Sequence, residues 1–228
     1  MPDGIGVLQP VLLLLTGLVL GMRHAFDRDH VAAVTHFISL EPDPMKSAWF
    51  GFRWALGHAL TVLVLGSLIL ILHLKFEPAF ERYAELAVGV TLIALGLWRL
   101  LLLVQERRHA HRHAHRATQH THTHTHQPGR EHVHRFAPTL VGMVHGASGT
   151  AEVFVLLPIT LIHITWLAYI YIGLFSLGCA STMSGYGYVI GRFYRRANQT
   201  GQRIYRVLVI VTSLSGLVLG TVWILKNL

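Results

Sequence analysis

Six long apolar runs alternate with short polar breaks along this chain, at residues 5–40, 47–74, 78–104, 136–162, 165–191 and 204–226. A helix needs about 20 apolar residues to cross a bilayer, so the pattern predicts an all-α polytopic bundle with about six transmembrane helices. The first run is too long for one straight crossing, since 5–40 as a helix would span roughly 50 Å. It must tilt, kink or protrude. Glu41-Pro42-Asp43-Pro44 then stops it, because each proline disfavours helix at the residue before it. Between the third and fourth runs lies a polar stretch, 105–135, in which ten histidines alternate with Arg, Ala and Thr. Nothing in it can bury a core, so it is expected to be a disordered loop. The chain thus divides into spans one to three (1–104), the histidine loop (105–135) and spans four to six (136–228).

Composition agrees: 52% of the 228 residues are hydrophobic and only 13% are charged, against about 25% charged in soluble domains. The lipid bilayer is the first partner implied. A formal charge of +8 would suit nucleic acid only on a solvated face. Here the basic residues cluster beside the spans, at Arg107, Arg108, Arg112, Arg116, Arg130 and Arg135 and again at Arg192, Arg195, Arg196, Arg203 and Arg206. That is how topology determinants lie, and no nucleic-acid partner is expected. Both basic loops should face the cytoplasm, which puts both termini outside. Val7 to Leu20 could imitate a signal peptide, but no basic segment precedes it, and it reads as a retained helix. Cys179 is the one cysteine, which removes internal disulfides and cysteine-based metal sites. Glycines four apart, such as Gly17 and Gly21 or Gly142 and Gly146, let helix backbones approach closely in lipid.

The chemistry-bearing stretch is Arg23-His24-Ala25-Phe26-Asp27-Arg28-Asp29-His30, placed late in the first run. An ionised carboxylate at the bilayer centre costs roughly 2.5–3.5 kcal/mol, so such residues pair, line a cavity or mark an ion path. A regular helix puts His24, Asp27 and His30 on one broad face and turns Asp29 away from it. His24 and His30 would then lie about 9 Å apart along the axis, too far for one ion to bond to both at about 2.0–2.1 Å. Either the helix distorts or the two histidines serve successive sites. Pairing of Asp27 and Asp29 with Arg23 and Arg28 would explain the carboxylates but leave two histidines over. His58 lies alone in the second run. His145 and Glu152 lie seven residues apart in the fourth, two turns along one helical face. The candidate set is His24, Asp27, Asp29, His30, His58, His145 and Glu152. Imidazole and carboxylate without thiolate suit nickel, cobalt or zinc.

These residues carry a resemblance. His24-Ala25-Phe26-Asp27-Arg28-Asp29-His30 resembles the His-x4-Asp-His signature of the nickel/cobalt transporter family, secondary transporters of the bacterial cytoplasmic (inner) membrane. Leu56-Gly57-His58 is similar to that family's next histidine-bearing helix, and Gly142 through Glu152 to the His-Gly-x-x-Gly block of the short, urease-associated nickel permeases. Position 28 departs from the pattern, with Arg where the family has a small residue. The resemblance implies a transporter rather than an enzyme, with Ni²⁺ or Co²⁺ as the transported ion, Zn²⁺ as a further candidate and no resident cofactor. It implies metal contact by His24, Asp29 and His30, and less directly by His58, His145 and Glu152. Uptake is the expected direction, and efflux with a metal-sensing histidine loop is the alternative. The loop could buffer metal, sense it, or hand it to a cytoplasmic metallochaperone. A rhomboid-like serine protease is a second alternative, from Gly146-Ala147-Ser148-Gly149, but the only later histidine is His163, about 22 Å along the same span.

Overall fold

The computed structural model describes residues 4–73, 77–113, 136–148, 157–162 and 164–228, and among them every regular element is helical. In chain order these are α1 (Gly4–His24), α2 (Arg28–Ile38), α3 (Pro44–Leu72), α4 (Pro78–His113), α5 (Ala137–Gly146), α6 (Leu157–Leu161), α7 (Thr165–Thr200) and α8 (Gln202–Asn227). Four of them, α3, α4, α7 and α8, are long and apolar enough to cross a membrane, and the bent pair α1–α2 brings the number to five if it is taken as one span. The chain is a multi-pass membrane protein. Its outward faces carry large apolar side chains such as Val19, Leu56, Val90, Leu177 and Val218, which suit lipid rather than water.

The first apolar run is broken, as its length requires. Helix α1 ends at His24, three residues intervene, and α2 leaves at an angle of 57°. Asp27 stands at the N-cap of α2 in extended conformation. At the far end of α2, the Ser39 carbonyl accepts from Arg99 of α4 and from Tyr205 of α8, and the buried Arg99 also donates to the Ser39 hydroxyl. A guanidinium at a helix C-terminus also complements the helix dipole there. The next helix starts where proline permits it: Pro44 opens α3, and the Asp43 carboxylate accepts from the backbone amides of Met45 and Lys46.

Two expected spans differ in detail. The fourth is not one helix, because α5 ends at Gly146 with a cap at Ala147 and the short α6 begins only at Leu157. The count of six therefore stands as four or five spans among the described residues. The third runs on past Val104, with the backbone of α4 helical to His113, so its first histidines extend a helix rather than starting a loop. The rest of the histidine stretch, 114–135, lies outside the described residues.

Close approach at glycines fixes the helix directions. A side chain at Gly57 would overlap the Thr139 carbonyl and one at Gly146 would crowd His58 and Thr61, so α3 and α5 run parallel. Gly17 lies on Tyr171 and Gly21 on Phe175, so α1 and α7 also run parallel. Gly187 lies on Ser47 while Gly66 lies on Ile172, which makes α3 and α7 antiparallel. Gly89 faces Gly220 and Gly96 faces Ser213, an antiparallel α4–α8 pair. These directions match alternating crossings with one crossing between α4 and α7, where α5 lies.

Candidate metal site

The bend between α1 and α2 removes the 9 Å separation that a straight helix would impose. His24 is the last residue of α1 and His30 the third of α2, and their rings meet edge to face with centroids 4.5 Å apart. His58 arrives from α3, where it is the midpoint of the 29-residue helix. Each of the three offers one nitrogen, and these nitrogens all lie within 4.8 Å of one another. Of the two readings left open, distortion or successive sites, the geometry is that of distortion. All three side chains are fully enclosed, as is His145. The His145 ring lies 5.7 Å from that of His30.

The hydrogen bonds orient these rings. The Nδ1–H of His30 donates to the His24 carbonyl at 3.1 Å, and that of His145 to the Val141 carbonyl at 2.8 Å. Nδ1 of His24 meets an Asp27 carboxylate oxygen at 2.9 Å, while its Nε2 faces His58 Nε2 at 3.1 Å. A carbonyl accepts only, so His30 and His145 are held as Nδ1–H tautomers with lone pairs at Nε2. Metal-binding histidines are oriented in this way by partners on the far side of the ring.

Asp29 departs from the straight-helix expectation. It is fully buried, and its Oδ2 lies 3.4 Å from His30 Nε2. No side chain of a described residue donates a hydrogen bond to either of its oxygens. A carboxylate facing an imidazole lone pair calls for a cation or a proton between them. Its position in the first turn of α2 also places the charge where the helix dipole favours it. Asp27, half-buried, makes its close contact with His24. Glu152 lies outside the described residues. Helix α5 itself stops at Gly146.

Two residues at the site carry no ionisable signal and were missed by sequence reasoning. Trp54 lies one turn before His58, stacked on it at 5.4 Å, with its ring also 4.7 Å from His30 and 5.6 Å from His145. Phe175 of α7 packs on His24 at 5.2 Å. The serine of the protease-like motif, Ser148, is buried and donates to the His145 carbonyl.

The NicO family, described as high-affinity nickel-transport protein, matches residues 11–152. The chain belongs to this family. The match covers the bent span, α3, α4 and α5, and so takes in all the histidines gathered above. A urease accessory protein, UreH, of Bacillus sp. (strain TB-90) is 29% identical over 191 residues, covering 78% of this chain and 76% of that one. No solved structure matches the chain significantly. Membership in a nickel-transport family sets the protease alternative aside: the protein is a membrane permease and not an enzyme.

Proposed function

We propose that this permease carries Ni²⁺ or Co²⁺ across the bacterial cytoplasmic membrane through the pocket formed by His24, His30 and His58. In this reading Asp29 supplies charge and His145 a further imidazole. The single observation that carries it is the convergence of three buried imidazoles from both halves of a broken helix and the middle of α3. Imidazoles are costly to gather inside an apolar bundle, whereas a divalent ion bound there replaces its hydration shell with nitrogen ligands. Broken helices with a site near the bilayer midplane are also the usual architecture of secondary transporters.

The family description supports nickel as cargo. High affinity suits gathering a scarce ion, which favours uptake over efflux. On the positive-inside argument the basic loops face the cytoplasm and both termini lie outside. The histidine stretch then lies on the cytoplasmic side, where it would receive the ion or pass it to a metallochaperone.

The test is metal flux into proteoliposomes under imposed metal and pH gradients. Wild type should accumulate nickel, and His30→Ala should reduce the rate at least about tenfold by removing a ligand whose site can no longer close around the ion. Folded wild type that moves no divalent metal would end the transport reading. Flux untouched by His30→Ala would move the site elsewhere.

A further inference from the structure

Two short phrases recur in this chain at one fixed spacing. Gly21-Met22-Arg23-His24 returns as Gly142-Met143-Val144-His145, and Leu56-Gly57-His58-Ala59-Leu60-Thr61 returns as Leu177-Gly178-Cys179-Ala180-Ser181-Thr182. Both second copies lie 121 residues after the first. The contacts recur as well. Gly57 of α3 is closed by Thr139 and Met143 of α5, and Gly178 of α7 by Leu18 and Met22 of α1. Residues 139 and 143 are 18 and 22 displaced by the same 121. Gly21 lies on the backbone of Phe175 and Gly142 on that of Trp54, again 121 apart. Matching letters could arise by chance in an apolar chain, but matching backbone contacts at the same displacement mark two equivalent halves. Since α3 and α7 are antiparallel, the halves are inverted relative to each other.

This relation pairs Trp54 with Phe175 and His24 with His145. Each ring packs on the histidine of the opposite half: Trp54 on His145 at 5.6 Å and Phe175 on His24 at 5.2 Å. The approaches of Ser47 to Gly187 and of Gly66 to Ile172 put His58 and Cys179 at one level of the bundle. Trp54 lies one turn from that level toward the start of α3, and Phe175 one turn toward the start of α7. Because the helices are antiparallel, the two residues leave that level in opposite directions, each by about 6 Å along its own helix, so their rings meet the imidazoles from opposite sides. Both are fully buried.

We propose that Trp54 and Phe175 are the paired gates of the metal site, one toward each membrane face, made equivalent by the inverted repeat. The proposal rests on the transport reading of the same site. With both rings in place the site is closed on both sides. Withdrawal of either one opens it to a single face, and the inverted halves let the two movements be counterparts of each other.

The one cysteine reads this out. Cys179 is buried, lies one turn beyond Phe175, and belongs to the same apolar cluster as Trp54 and Ala25. A membrane-impermeant maleimide applied to right-side-out and inside-out vesicles should label wild type slowly from either face. Trp54→Ala should speed labelling from one face by about tenfold, as a shift of about 1.4 kcal/mol in the opening equilibrium would do, and Phe175→Ala from the other. If an alanine variant elutes as aggregate, Trp54→Leu and Phe175→Val carry the same comparison. Acceleration from the same face in both variants, or in neither, overturns the gates. Nickel flux is scored separately on wild type. Opposite-sided labelling without flux would overturn the transport reading alone, and flux with same-sided labelling would overturn the gates alone.

Discussion

In the proposed reading of the site, Asp27 orients a ligand rather than holding the ion. Its carboxylate reaches Nδ1 of His24, which in that reading fixes which ring nitrogen faces His58. Groups of this kind are worth about 10–100-fold in metal affinity. Asp27→Ala should therefore weaken Ni²⁺ binding by about that factor in calorimetric titration of the purified protein, while Asp27→Asn, which keeps an acceptor oxygen, should cost less. Equal affinity in wild type and Asp27→Ala would show that His24 is oriented by something else. The histidines themselves were legible in the sequence, because an imidazole in an apolar run is costly and so asks for a reason. Trp54 and Phe175 were not, because an aromatic ring in such a run costs nothing and looks like any other lipid-span residue. Asp29 was placed on the wrong side by assuming a regular helix across a segment that is not regular.

At the scale of elements, length showed that the first span had to yield somewhere but gave neither the place nor the means. The break falls at Ala25-Phe26-Asp27, without proline or glycine, and its only local mark is an aspartate able to stand before a new helix. The glycine pattern was read correctly as close helix packing, yet spacing alone could not distinguish glycines in contact from idle ones. Gly142 lies on the carbonyl of Trp54, which is backbone and cannot swing aside, whereas nothing lies within 4 Å of a side chain added at Gly173. Gly142→Ala should accordingly destabilise the bundle by about 1–3 kcal/mol through overpacking and lower its melting temperature in detergent. Gly173→Ala should stay within about 0.5 kcal/mol of wild type. Equal melting temperatures for the two variants would mean that α3 and α5 do not meet as described.

For the whole molecule, the helices α4 and α7, each 36 residues, reach about 54 Å and so outrun a hydrocarbon core of about 30 Å. The polar ends of both lie on one side of the bundle, since α7 runs antiparallel to α3 and α4 is the next crossing after α3. Residues 114–130, outside the described residues, follow α4 in the chain. Deleting them should leave nickel flux present while changing its dependence on metal concentration, because alternating imidazoles raise local ion concentration by avidity and shortening a loop alters closure by only about 0.6 kcal/mol per halving. A folded deletion variant silent at every concentration would make the segment an obligatory part of the path. The inverted halves escaped sequence reading because the two phrases that carry them differ at His58 and Cys179, the very position a motif search weights most. The double aromatic seal has a bearing on the energetics of the cell. While either ring is in place the pathway contains no continuous file of water, so the proton gradient and the membrane potential are not short-circuited through the protein.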